Sequence, residues 1–135
     1  MENLDLYMLA EQEGVEVYTH RMECGSASAV VDGEYCVALD PCAFECSDIE
    51  RVHLAHELGH CITGSFYNPY SGIDVREKYE RRANVWAYKH IVPLNQLEKC
   101  FKRGLTEPWQ MEDVFDVPAR FIRQAMEYYM QQQAA

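Results

Sequence analysis

The chain has 135 residues, 48% hydrophobic and 25% charged, enough for one domain with one core. Its formal net charge of −10 argues against a nucleic-acid partner and against anionic membrane surfaces. No apolar run approaches the roughly 20 residues of a membrane span, and the first residues lack a basic and apolar leader, so a cytoplasmic protein is expected.

Leu4 to Glu13 reads as a helix with Leu6, Leu9 and Ala10 as its apolar stripe, ended by Gly14. Val15–Thr19 alternates as a strand. Ala27–Val31 and Glu34–Leu39 flank Asp32-Gly33, a two-residue hairpin signal, so a small antiparallel sheet is expected here. Cys24, Cys36, Cys42, Cys46, Cys61 and Cys100 are expected as reduced thiols. Cys42 and Cys46 have a spacing that could bind metal, but the second pair of a structural zinc site is missing.

Ser47-Asp48-Ile49-Glu50 reads as a capping box for a helix from about Asp48 to Thr63, closed by Gly64. Within it stands His56-Glu57-Leu58-Gly59-His60. On a helix the two histidines lie one turn apart on one face, where both imidazoles reach one metal ion. Glu57 is then placed to take a proton from water at that metal, the HExxH arrangement of zinc-dependent peptidases. His53 is read as wall or surface, and Cys61 as a small core residue.

A catalytic zinc site takes three protein ligands, so a third must come from elsewhere. His20, His53, His90 and the carboxylates are candidates. Asp74 to Glu77 reads as a second capping box, opening a helix from Val75 to Val92 that stops at Pro93. Glu80 shares a face with Ala83, Asn84 and Ala87, small enough for close approach to the HELGH helix. Glu77, one turn earlier, competes with it. Spacing alone equally allows Glu80 to pair with Arg76 or Arg81 on a solvated face.

Helical periodicity continues over Asn95–Arg103, closed by Gly104, then from a Thr106 cap through Asp113. Pro118 opens a last helix carrying Phe121, Ile122, Ala125, Met126 and Tyr129. The outline is that of a helix-turn-helix. Its acidic residues (Glu107, Glu112, Asp113, Asp116, Glu127) outnumber Arg120 and Arg123, so packing on the core or on a protein partner is expected instead of DNA reading. Tyr128 to Gln133 reads as a contact or a frayed tail.

HELGH followed by Glu80-Arg-Arg-Ala-Asn-Val-Trp-Ala87 and then Ile91-Val92-Pro93 resembles the ImmA/IrrE metallopeptidase family, well over roughly 45–95 and loosely beyond. The basic pair Arg81-Arg82 and His90 depart from that pattern. The resemblance implies an α+β, zincin-like minimal metallopeptidase: a small antiparallel sheet, an HExxH helix and C-terminal helices. One domain over 1–135 is expected, with a catalytic core over about 1–95 and a helical extension over about 96–135. It further implies zinc held by His56, His60 and Glu80, and Glu57 as general base. The implied activity is cleavage of a helix-turn-helix repressor of a phage or mobile element. A zinc-bound regulator that sequesters such a repressor without cutting it is the alternative. An edge strand beside the HELGH helix would hold extended substrate, and Tyr67, Tyr70, Tyr79 and His90 are the available oxyanion donors.

Overall fold

The computed structural model describes residues 3–22, 25–44 and 46–134, which leaves Cys24 outside the described residues. In chain order the elements are α1 (Leu4–Gln12), β1 (Glu16–Thr19), β2 (Ser26–Val31), β3 (Glu34–Leu39), α2 (Ser47–Thr63), α3 (Ile73–Ile91), α4 (Leu94–Lys102), α5 (Glu112–Phe115) and α6 (Ala119–Ala134). Short 3-10 turns occupy Pro41–Ala43 and Pro108–Met111. Among the described residues no helix is long and apolar enough to cross a membrane.

The sheet is mixed, where an all-antiparallel one was expected. β2 and β3 form the hairpin read at Asp32-Gly33, and both turn residues take positive φ (52° and 81°). β1 does not extend that meander. It lies on the far side of β3, parallel to it, pairing Glu16 with Cys36 through Thr19 with Leu39. The order β1-β3-β2 puts β3 in the centre, and its inward residues Val37 and Leu39 are fully buried. Among the described residues β2 pairs with β3 alone, and of the two edge strands it is the one packed against α2.

α2 and α3 pack most closely of all the elements. Leu54 and Leu58 of α2 are fully buried, each worth ~1.5–3 kcal/mol of removal from water. Ala83 and Ala87 of α3 face them, nine-tenths buried or more. One buried cluster runs from Leu6 of α1 through Val37, Leu58 and Ile91 to Phe121, Ile122 and Ala125 of α6.

Both capping boxes of the HELGH helix and its partner are absent. α2 begins at Ser47 itself, after Cys46 in an extended conformation, and the Glu50 amide donates to the Cys46 carbonyl. The Glu50 carboxylate is taken by the Tyr7 hydroxyl of α1 at 2.6 Å, a partner 43 residues away that local sequence does not announce. α3 starts two residues early, at Ile73, with Gly72 as its cap. Thr106 caps nothing. Glu107 and Gln110 form a box around the Pro108–Met111 turn, and Gln110 Oε1 accepts from both the Thr106 and Glu107 amides. The helix read through Asp113 therefore becomes a 3-10 turn followed by α5. Residues 131–133 continue α6 with exposed side chains.

His53 gives the fold a pH dependence. Burial holds its imidazole below the ordinary value, Glu57 partly offsets this, and His56 adds to it. The unfolded chain therefore takes up the proton first. His53's contribution to stability is complete above about 6.5 and is lost as pH falls through the lower folded value. The urea midpoint is expected to fall between pH 7.5 and pH 5.5, and to fall less in His53→Gln. Equal slopes in the two proteins would remove His53 from the account.

Candidate metal centre

Three expected side chains converge. His56 Nε2 lies 2.9 Å from Glu80 Oε2, His60 Nε2 lies 3.0 Å from Glu80 Oε1, and the two Nε2 atoms are 3.2 Å apart. Bonds of ~2.0–2.1 Å to one tetrahedral ion would put ligand atoms ~3.3 Å apart, close to these separations. Among the described residues this is the group of three metal-binding side chains that the structure assembles. Glu77 is not part of it.

Sequence geometry makes the cluster possible. Positions 56 and 60 share the inner face of α2, and Glu80 sits one turn before Ala83 and Asn84 on the face of α3 turned towards α2. Gly59 sets the distance. A Cβ there would stand 2.6 Å from the Ala83 carbonyl oxygen and 3.0 Å from its Cα. The glycine is required by the approach of the two helix backbones, and that approach carries Glu80 to the histidines.

The outer ring nitrogens decide what the inner ones can do. His60 Nδ1 is 2.6 Å from the Ser65 carbonyl oxygen, which can only accept, so Nδ1 carries the proton. His56 Nδ1 donates likewise to Asn84 Oδ1 at 2.8 Å. Both Nε2 lone pairs are thereby turned inward on the Glu80 carboxylate. Two lone pairs and an anion facing one point repel one another unless positive charge stands between them. This donor set of two imidazoles and a carboxylate fits a divalent metal ion.

Tyr67 donates to Glu80 Oε1 at 2.7 Å. Burial works to raise the Glu80 carboxyl, the Tyr67 hydrogen bond leads the effects that lower it, and the net shift is downward. Of the four oxyanion donors considered, Tyr67 alone lines the cleft over the cluster. Tyr70 is 96% exposed, Tyr79 lines the adjoining groove, and His90 stacks on Trp86.

Glu57 lines the same cleft as these three residues, and its carboxylate is held from β2. Ser26 Oγ donates to its Oε2 at 2.7 Å and Ser28 Oγ to its Oε1 at 2.9 Å. Ser26 Oγ also lies 3.2 Å from His53 Nδ1, whose ring packs against Phe44. Glu57 is only 7% exposed, and both of its carboxylate oxygens are hydrogen-bonded. Sequence reading missed Ser26, Ser28, Asn84 and Ser65 as partners. The strand serines left a signal, two hydroxyls at i and i+2 on one face of the strand before the motif. The Ser65 carbonyl left none.

The cleft over these groups has a volume of about 340 Å³. It shares Ser28, Phe66 and Tyr67 with a groove of about 550 Å³ running beside Ala29 and Val30 on β2. The arrangement can hold a cation, keep a carboxylate beside it, and admit an extended chain along the open strand.

The model of the IrrE N-terminal-like domain, Peptidase M78, matches residues 10–127, which include every element of the cluster. No curated protein and no solved structure matches the chain. The chain belongs to this peptidase family, and its function is of the metallopeptidase type.

Proposed function

We propose that this protein is a cytoplasmic zinc-dependent endopeptidase whose substrate is a helix-turn-helix repressor of a phage or mobile element. The observation that carries the catalytic part is the tautomer lock. With both Nδ1 protons committed to Asn84 and Ser65, His56 and His60 present Nε2 lone pairs beside Glu80, and Glu57 lines the same cleft. Zinc suits two imidazoles and a carboxylate, and when bound it supplies the Lewis acidity that makes water a nucleophile near neutral pH.

The chain's own residues do the rest. Glu57 accepts the proton of the attacking water on its carboxylate and passes it to the leaving amine nitrogen. Ser26 and Ser28 hold that carboxylate in one orientation, and their hydroxyls can turn from donor to acceptor when it becomes protonated. The outer edge of β2 offers backbone groups to an extended substrate segment, in a cleft also lined by Phe66 and Tyr67.

The test joins metal content to cleavage. Protein purified without added metal is expected to carry about one zinc per chain, and His60→Ala only a trace. Incubated with a cognate repressor, the wild type is expected to yield two fragments by mass spectrometry, and the variant none. Equal metal in both proteins would overturn the site. A repressor that loses DNA binding while staying intact would replace cleavage by sequestration.

A further inference from the structure

The face of α3 opposite the metal centre has a composition unlike the rest of the molecule. Lys78, Arg81, Arg82, Val85, Trp86 and Lys89 line a groove of about 410 Å³. They recur three and four positions apart, so they form one strip, ~17 Å long at 1.5 Å per residue. Glu80, Ala83, Asn84 and Ala87 occupy the reverse face, against α2. The strip thus includes the Arg81-Arg82 pair that sets this sequence apart.

Four cations on one strip stand out in a chain with 22 acidic and 12 basic residues. All four are exposed, and among the described residues none is ion-paired. Two rest on aromatic rings: the Arg82 guanidinium is 5.2 Å from the Tyr79 ring centre, and the Lys89 ammonium 5.8 Å from that of Tyr128. Their side chains are held while their charge stays available. Between them Val85 and Trp86 form a half-buried apolar floor. Asp74, Glu77 and Glu127 line the neighbouring groove, beyond the ridge of Lys78, Arg81 and Val85.

We infer that this strip is a docking surface for an acidic protein segment that also carries an apolar side chain, the carboxylates meeting the four cations and the apolar group seating on Val85 and Trp86. Charge complementarity selects an anionic partner. Two observations favour a short peptide over a nucleic acid. The net charge of −10 repels a long polyanion beyond the strip, whereas a short segment lies within a Debye length of ~8 Å of the cations. One face of Trp86 is also covered by His90, stacked at 4.9 Å and 6°, which removes half of the ring surface that a base would use. The inference stands independently of what the metal centre cleaves.

Trp86 reports on the groove once Trp109, the other tryptophan, is replaced by Phe. The probe is a synthetic amphipathic helix with glutamates on one face and leucines on the other. It is compared with an all-glutamate peptide and with a DNA duplex of equal charge. The leucine-bearing peptide is expected to shift Trp86 fluorescence. Its affinity should fall at least about ten-fold in Arg81→Glu/Arg82→Glu and fall with added salt. Lys99→Glu/Lys102→Glu, which changes net charge equally off the strip, should leave binding within about two-fold. Arg81→Gln/Arg82→Gln serves if the reversal disturbs the thermal melt. Three results overturn the inference: no binding of the leucine-bearing peptide, equal loss in both charge-reversal variants, or duplex DNA binding as tightly as that peptide. Equal binding of the all-glutamate peptide would overturn the apolar floor.

Discussion

Gly59→Ala is expected to lower the melting temperature and the affinity for divalent metal together. The added methyl would sit 2.6 Å from the Ala83 carbonyl oxygen, a backbone atom in the middle of α3 that cannot swing aside. The clash is relieved only if α2 and α3 separate, at ~1–3 kcal/mol of overpacking, or roughly 3–12 °C for a domain of this size. Separation moves Glu80, three residues before Ala83, away from His56 and His60, and Asn84 away from His56 Nδ1. Losing a ligand's alignment and its supporting hydrogen bond is expected to weaken metal binding about 10-fold or more. Gly14→Ala is the control. Its φ of +71° makes alanine strained there, but nothing lies within 4 Å, and Gly14 lies between α1 and β1, outside the two helices that carry the cluster. It should lower the melting temperature and leave metal affinity unchanged. If Gly59→Ala binds metal as the wild type does, the helix approach is not what places Glu80.

The contrast between Gly59 and its surroundings shows what a sequence carries. His56 and His60 were legible because helical spacing alone puts them on one face, whatever the rest of the chain does. Glu80 was half legible. Its face of small residues pointed towards α2, but spacing left Glu77 and a surface ion pair open, and only the resemblance chose among them. Asn84 and the Ser65 carbonyl were not legible as the groups that fix the two tautomers. One acts across 28 residues, and the other is a backbone atom that any residue would supply. The caps failed for a related reason. Ser47 and Glu50 match the local pattern, but Tyr7 offers Glu50 a tertiary hydrogen bond, and a carboxylate so engaged does not fold back on its own helix end. β1 failed because alternation identifies a strand and its faces but is silent about which neighbour it joins and in which direction.

Glu57→Gln is expected to bind metal as the wild type does and to lose about 10²–10⁴-fold or more in cleavage rate. The separation of the two readouts follows from which atoms the residue touches. His56, His60 and Glu80 contact one another, and their outer partners are Asn84, Ser65 and Tyr67, so Glu57 contributes nothing to the donor set. Its own contacts are the Ser26 and Ser28 hydroxyls. A glutamine keeps one oxygen as acceptor for one serine. Its amide can donate to the other, because a hydroxyl accepts as readily as it donates. The buried side chain therefore stays satisfied and the fold is retained, which a circular dichroism melt checks. What the amide cannot do is take a proton from water. Ser26→Ala and Ser28→Ala complete the argument from the other side: they leave the base intact but remove its anchors, so they should retain metal and lose less activity than Glu57→Gln. A Glu57→Gln protein that cleaves at the wild-type rate would end Glu57's role as general base. One that loses its metal would show instead that Glu57 belongs to the binding site.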